Sequence, residues 1–214
     1  MRGYSNDLAY IHDSGFTGYA LGAAPGLLSL LRKNGVRSGL VVDLGCGSGR
    51  WARELNRAGY AVLGIDQSPA MIRLARRIAP RSQFATSSLL SADLPRCDAI
   101  TSIGECLNYT FDRRNSRPAL RELFRRTYRA LRPGGVFVFD VAEPSRAPRS
   151  PERVWSEAPG WTIVVEIGGN RSRNLLRRRI VTFRRAGTSY RGGDSRTESI
   201  SRRGSHRGLD GLRV

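Results

Sequence analysis

An apolar segment of this 214-residue chain runs directly into a glycine-rich loop. The segment Leu40–Leu44 is apolar except for Asp43, and Gly45, Gly47 and Gly49 follow at alternate positions before a helical pattern begins. Glycine lets the backbone turn sharply and approach a ligand closely, because it carries no Cβ. Backbone amides at the start of a helix then point towards the ligand. The loop therefore predicts a strand–turn–helix unit that binds a nucleotide-type cofactor.

Strand and helix patterns alternate along most of the chain, from residue 40 to residue 141. Such alternation predicts a Rossmann-like α/β fold: a doubly wound, mainly parallel sheet with helices on both faces and right-handed crossovers. The predicted strands are 40–44, 61–65, 83–86, 98–103 and 136–141, and the predicted helices are 19–34, 49–58, 68–80 and 118–131.

The patterns divide the chain into four segments. Residues 1–39 predict an N-terminal helical cap or cofactor lid, and residues 40–143 form the cofactor-binding core. Apolar and polar residues alternate from Trp161, so 144–185 predicts a linker followed by an antiparallel hairpin. Residues 186–214 are rich in Arg, Gly and Ser and bury too little apolar surface to order, so we expect disorder there.

Charge and cysteine content limit the partners of the chain. The formal net charge is +18, but Lys33 is the only lysine among the 36 basic residues, which indicates a codon bias towards arginine. Because of this bias, the charge is only weak evidence for nucleic-acid binding, and nucleic acid stays a less favoured partner. Cys46, Cys97 and Cys106 match neither a disulfide framework nor a metal site, so we expect reduced thiols, no metal and a cytoplasmic location. No apolar run reaches about 18 residues, so no membrane span is expected.

Two kinds of nucleotide cofactor compete for the glycine loop. A dinucleotide fingerprint needs G-x-G-x-x-G, and Arg50 stands where its third glycine belongs. Asp43 precedes the loop, where a carboxylate suits a cationic amino group better than a pyrophosphate. Asp66 ends the next predicted strand, where an acid can accept hydrogen bonds from both ribose hydroxyls. These features disfavour an oxidoreductase that uses a dinucleotide, although that class stays an alternative.

Three motifs together resemble the class I S-adenosylmethionine-dependent methyltransferases, of the small-molecule type similar to methyltransferase domain 25. They are the runs 42–49 (VDLGCGSG), 63–71 (LGIDQSPAM) and 131–135 (LRPGG), in the order and spacing of that family. The resemblance covers residues 10–143 well and the hairpin loosely. It implies a transferase that moves a methyl group from S-adenosylmethionine to an acceptor that the sequence does not identify.

The resemblance also implies roles for single residues. Gly45 and Gly47 would lie against the methionine and ribose, Asp43 would join the hydrogen-bond network at the methionine end, and Asp66 would bind the ribose diol. The other implied cofactor contacts are Cys46 in the loop, Gln67 and Met71 beside the adenine, Ser88 and Leu89 at its edge, Ile103 and Gly104 near the sulfonium, and Tyr10 at the carboxylate.

Methyl transfer from a sulfonium is an in-line displacement, so the enzyme mainly positions the reactants. A base is needed only where the acceptor must lose a proton early. Glu105 follows the fourth strand and is the candidate for that role, with capping of the next turn as an equal alternative. His12 has no visible partner in the sequence, and we expect it to serve packing or lie on the surface.

The family sheet continues past its fifth strand, and this chain departs from that pattern. An Arg/Gly/Ser-rich segment follows Tyr190 instead, as in a natural short form or a truncated or frame-shifted end. The fifth strand would then be an exposed edge, which favours pairing with another chain. A catalytically impaired protein of this fold that binds nucleic acid nonspecifically is thus a second alternative function.

Overall fold

A computed structural model describes residues 4–142, 148–170 and 172–200. Its first sheet, sheet A, is parallel and has the strand order β3-β2-β1-β4-β5. The strands are β1 (Leu40–Leu44), β2 (Ala61–Asp66), β3 (Gln83–Thr86), β4 (Cys97–Ser102) and β5 (Leu131–Phe139). The Rossmann-like parallel core expected from the alternating pattern is confirmed.

Five helices accompany this sheet in the described part of the chain. They are α1 (Asn6–Gly15), α2 (Gly18–Lys33), α3 (Arg50–Arg57), α4 (Pro69–Ile78) and α5 (Arg117–Ala130). Successive side chains of a strand face opposite sides of a sheet. Val41 accordingly packs in one core with residues of α2 and α3, whereas Val42 packs in a second core with residues of α5. None of the helices in the described ranges is long and apolar enough to cross a membrane.

The N-terminal segment differs from its prediction. Helix α1 had no counterpart in the sequence reading, yet it is capped by Ser5, whose hydroxyl accepts a hydrogen bond from the Leu8 amide at 3.4 Å. Leu8 and Ile11 are buried on one side of the helix. Pro25 lies inside α2 without ending that helix.

A second sheet, sheet B, corrects two predictions made for the C-terminal half. Its antiparallel strands are β6 (Glu152–Ala158), β7 (Trp161–Asn170), β8 (Leu175–Ala186) and β9 (Ser189–Ile200), in that order. The expected hairpin is β7–β8, but β6 occupies part of the expected linker, and β9 lies where disorder was expected. Strand β9 orders because all twelve of its residues pair with β8. The rest of the expected disordered segment, residues 201–214, lies outside the described residues.

Asn108 joins the two sheets. Its Nδ2 donates to the Ile200 carbonyl at 2.8 Å, and its Oδ1 accepts from the Ala142 amide at 2.9 Å. The Ile200 amide donates to the Asn108 carbonyl at 2.9 Å. Helix α1 adds an apolar contact, because Leu8 and Ile11 share a core with Trp161 of sheet B. Strand β5 lies at the edge of sheet A, and pairing of that edge with another chain stays a prediction.

We expect Asn108→Ala to lower the free energy of unfolding by about 2–4 kcal/mol, because it leaves a carbonyl and an amide without their side-chain partner. Chemical denaturation of both variants measures this effect. Asn34→Ala is the control, since its amide also donates to a carbonyl at 2.9 Å but is exposed. We expect the control to lose less than about 0.5 kcal/mol. Equal losses would show that Asn108 does not join the sheets.

Candidate functional site

A cavity with about 860 Å³ of empty space, part of it open to solvent, lies at the carboxyl ends of β1, β2 and β4. Open α/β sheets place ligands at this edge. The wall contains residues that follow these strands, together with Tyr4, His12 of α1 and the segment 106–115. The predicted cofactor residues on the wall are Gly45, Gly47, Asp66, Gln67, Met71, Leu89, Ile103 and Gly104.

Asp66 connects the glycine loop to the start of α4. One carboxylate oxygen accepts a hydrogen bond from the Gly47 amide at 3.0 Å, and the other accepts from the Ser68 amide at 2.8 Å. Burial raises the pKa of the Asp66 carboxyl, and the two amides oppose that rise. Each carboxylate oxygen has a second lone pair. Asp66 can therefore hold the loop and still accept hydrogen bonds from a ligand in the cavity.

The glycines of the loop have different functions. Gly47 has φ +54°, and a Cβ there would meet no atom within 4 Å, so the space beside it is open to a ligand. Gly49 has φ +79°, and a Cβ there would lie 2.9 Å from the Ala75 Cα of α4. The third glycine therefore permits close packing of helices, whereas Gly47 leaves room at the cavity.

Asp43 lies beneath the cavity wall, buried in β1. Its carboxylate accepts a hydrogen bond from the Thr101 hydroxyl at 2.8 Å, and the Trp51 indole donates to the same hydroxyl oxygen at 3.2 Å. Burial raises the pKa of Asp43 to about 7. Asp43 is not among the lining residues, so the structure places it in the support of the loop and not on the cavity surface.

Cys46 is also absent from the cavity wall. Its thiol packs against β2, because a Cβ on Gly64 would lie 2.9 Å from the Cys46 Sγ. Burial raises the pKa of the Cys46 thiol well above its ordinary value. The thiol of Cys106, by contrast, belongs to a residue that lines the cavity.

Arg50, the residue that disfavoured a dinucleotide, forms a two-pronged ion pair with Asp13. Its Nε and one terminal nitrogen each lie 2.8 Å from a different carboxylate oxygen. This pair joins the first residue of α3 to α1. The sequence did not reveal it, because Asp13 is distant in the chain and lies on an unpredicted helix.

Asp140 is a site residue that sequence reasoning missed. Its carboxylate accepts hydrogen bonds from the Gly104 amide at 2.9 Å and the Glu105 amide at 2.8 Å. The Tyr19 hydroxyl of α2 donates to its other oxygen at 2.9 Å. Asp140 directly follows β5, in the same way that Asp66 is the last residue of β2. The position of an acid at the end of an apolar strand was therefore the sequence signal that could have identified Asp140.

Glu105, the candidate base, has left-handed backbone with φ +59° and stands between the lining residues Gly104 and Cys106. Its side chain is 14% exposed, and its carboxylate lies 3.9 Å from the guanidinium of Arg178 on β8. Glu105 is not itself among the lining residues. The structure thus places it at the edge of the cavity, beside a cation of sheet B.

The predicted adenine contacts divide into two groups. Gln67, Met71 and Leu89 line the cavity. Ser88 does not, and its hydroxyl instead donates to Asp112 and accepts from the Leu90 amide at 3.0 Å. Ser88 therefore shapes the wall by holding its neighbours.

Tyr10 is not on the cavity wall, contrary to its implied contact with the cofactor carboxylate. The side chain is 39% exposed, and the Arg184 guanidinium lies 3.8 Å from the centroid of its ring. The geometry of α1 explains the difference, because Tyr10 lies on a different side of the helix from the buried Ala9 and Ile11.

Tyr4 and His12 line the cavity instead. Their ring centroids are 5.1 Å apart in an edge-to-face arrangement. The His12 Nδ1 is buried without a hydrogen-bond partner among the described residues, and burial lowers the pKa of the ring, which is therefore neutral at pH 7. The surface or simple packing role expected for His12 is corrected: the ring is part of the cavity wall.

Metal-binding chemistry has no candidate cluster in the described ranges, because no three His, Cys, Asp or Glu side chains are grouped to hold an ion. The three cysteines are free thiols.

Comparison with known proteins assigns the core to a family. Residues 41–135 match the model of a family described as "Methyltransferase domain". The ubiquinone biosynthesis O-methyltransferase of Alkalilimnicola ehrlichii is 32% identical over 124 residues, which are 54% of this chain and 46% of that protein. The chain thus spans less than half of the length of this curated relative.

Two solved structures show the same fold at lower identity. An S-adenosylmethionine-dependent methyltransferase from Clostridium acetobutylicum matches with TM-score 0.76 and 20% identity, over 92% of this chain and 81% of that one. CalS10, an amino pentose methyltransferase from Micromonospora echinaspora solved with S-adenosylmethionine bound, matches with TM-score 0.71 and 19% identity, over 94% and 84%.

These matches confirm the family predicted from the three motifs. The region 41–135 belongs to the methyltransferase domain family, and the fold is that of S-adenosylmethionine-dependent methyltransferases.

We expect the stability of the protein to fall, relative to Asp43→Asn, as pH rises from about 4 to 7. An unfolded Asp titrates near 3.8, whereas burial raises the pKa of folded Asp43 to about 7, so folding takes up a proton in this range. The maximum slope is about 1.4 kcal/mol per pH unit. Asparagine keeps an oxygen that can accept from Thr101 but does not titrate.

Denaturation of the wild type and Asp43→Asn at several pH values measures the difference in unfolding free energy. We expect that difference to change between pH 4 and 7 and to become constant above about pH 7. Parallel stability curves over the whole range would contradict the burial of an ionisable Asp43.

Proposed function

We propose that this chain transfers a methyl group from S-adenosylmethionine to a small-molecule acceptor. The observation that carries the proposal is Asp66, whose partly buried carboxylate holds the Gly47 and Ser68 amides at the edge of the cavity. A carboxylate in this position can accept hydrogen bonds from a ribose diol. The family of the core domain supports the same cofactor.

The residues of the cavity fit S-adenosylmethionine. Gly47 leaves open space where the cofactor would pass the loop, and Met71 and Leu89 provide apolar surface for the adenine. Ile103 and Gly104 would stand near the sulfonium. When bound, the cofactor supplies a methyl group that is already activated by its positive sulfur. The protein's own contribution is then to hold the acceptor in line with that methyl group.

The shape of the wall favours a small acceptor over a macromolecule. Four aromatic rings stand on the wall: Tyr4 and His12 of the N-terminal segment, and Tyr109 and Phe111 of the segment 106–115. Helix α1 is itself covered by sheet B through Leu8 and Ile11. Two of the matched proteins, a ubiquinone biosynthesis O-methyltransferase and an amino pentose methyltransferase, have names that also indicate small acceptors.

Glu105 is the residue that we propose to receive a proton from the acceptor. It stands between two lining residues, and the Asp140 carboxylate fixes its amide and that of Gly104 at 2.8 and 2.9 Å. This role of Glu105 applies to acceptors that lose a proton during the transfer, because other acceptors need no base.

The alternative functions gain no support. Arg50 stands in the place of the third glycine of a dinucleotide loop and is paired with Asp13. The charge of the chain favours anions in general, but no feature of the cavity is specific to nucleic acid.

We expect Asp66→Ala to weaken S-adenosylmethionine binding at least about tenfold, because hydrogen bonds to a charged group contribute about 1.5–3 kcal/mol. Isothermal titration calorimetry measures the dissociation constant. Asp194→Ala is the matched control, since it removes one acidic side chain from β9 that does not line the cavity. Equal affinity of Asp66→Ala and wild type would remove Asp66 from the cofactor site.

We expect Glu105→Gln to lower the turnover number at least about tenfold while the affinity for S-adenosylmethionine is unchanged. The assay follows S-adenosylhomocysteine formation with a panel of small amines, phenols and hydroxy acids. Glu122→Gln is the control, because Glu122 is an exposed residue of α5 that pairs with Arg125. Unchanged turnover in Glu105→Gln would leave Glu105 with a structural role only.

A further inference from the structure

Arg178 of β8 differs from its neighbours in the direction of its side chain. Leu176 and Ile180, two residues before and after it, are buried, so Arg178 shares their side of the sheet. Arg177 and Arg179 lie on the opposite, exposed side of β8. The buried side is the one that packs against α1, since Ile180 shares a core with Leu8. Arg178 therefore extends towards the interior between sheet B and the cavity region.

The hydrogen-bonding state of Arg178 is also different. Arg177 and Arg179 form close ion pairs on the exposed side, at 2.6 Å with Glu198 and 2.9 Å with Asp194. Arg178 approaches Glu105 only to 3.9 Å, and no described residue accepts a hydrogen bond from its guanidinium. A guanidinium has five N–H donors, so Arg178 keeps donors that a ligand can use.

The surroundings of Arg178 place it beside the cavity. Its charge acts on the Tyr4 and Tyr109 hydroxyls, lowering pKa values that burial raises, and both tyrosines line the cavity. Glu105, its nearest acid, stands between two other lining residues. The side chain of Arg178 is 22% exposed, so a ligand can reach it.

Arg184 lies on the same side of β8 as Arg178, but its guanidinium has close partners. Its guanidinium pairs with Asp7 at 2.8 Å and lies over the ring of Tyr10. Arg178 has no such close partner among the described residues. The lack of a close protein partner among the described residues is therefore specific to Arg178 and is not common to this side of the strand.

We propose that Arg178 binds a carboxylate of the methyl acceptor, an inference that rests on the proposed transfer to a small molecule. A guanidinium presents two parallel N–H donors that match the two oxygens of a carboxylate. The tyrosines beside it offer aromatic surface for the body of the same acceptor. Arg178 is thus the residue that selects acceptors with an anionic end.

Benzoate and benzamide test this selection, because they share shape and differ in charge. Calorimetric titrations of each use the full chain, once alone and once saturated with S-adenosylhomocysteine. We expect benzoate to bind at least about tenfold more tightly than benzamide, and Arg178→Gln to abolish that preference. Arg179→Gln removes the same charge from the exposed side of β8 and should keep the preference.

Equal binding of benzoate and benzamide to the wild type, or a benzoate preference that survives Arg178→Gln, would overturn the proposal. The affinity for S-adenosylhomocysteine is read separately. If S-adenosylhomocysteine does not bind while the benzoate preference is intact, the proposed methyl transfer is refuted and the anion site at Arg178 is retained. Should Arg178→Gln fail to fold, Arg178→Lys replaces it: reduced preference supports two-pronged binding, and full preference contradicts it.

Discussion

The contact of the Asp66 carboxylate with two backbone amides is the interaction on which the site depends. It ties Gly47 of the loop after β1 to Ser68, the N-cap of α4, so that the carboxyl ends of two neighbouring strands form one rigid surface. Two features make this possible. The positive φ of Gly47 turns its amide towards the acid, and partial burial of Asp66 limits competition from water. The same carboxylate keeps lone pairs for the ribose of the cofactor.

The second sheet completes the site indirectly. Sheet B supplies none of the cavity-lining residues among those described, but it supports α1 and carries Arg178 to the edge of the cavity. Asn108 and the C-terminal end of β9 hold sheet B against the core. Cofactor and acceptor are therefore assigned to different parts of the fold. In the proposed arrangement the parallel sheet holds the cofactor, and α1, the 103–115 segment and β8 shape the acceptor end.

Local patterns predicted the parallel core well. Continuous apolar strands and glycine caps each span only a few residues, so they can be recognised in the sequence without knowledge of tertiary contacts. Asp66 and Gly47 could be found from their positions relative to those strands. Residues that reach the site through tertiary packing could not: α1 carries His12 to the wall, and Arg178 depends on the register of β8. Strand β9 was missed because its Gly, Ser and Arg content is typical of disorder, while pairing with β8 decides its structure. Asp43 was predicted to join the hydrogen-bond network at the methionine end of the cofactor, and the structure places it beneath the cavity surface.

Hydrogen–deuterium exchange with and without S-adenosylmethionine tests most directly whether the Asp66-centred edge of sheet A is the cofactor site. Peptides that cover residues 45–50 and 66–71 should exchange more slowly when the cofactor is present, because both amides held by Asp66 lie in them. Peptides of the edge strand β6, which contributes no lining residue, should not change. Unchanged exchange in both site peptides at saturating cofactor, or protection confined to sheet B, would contradict this account.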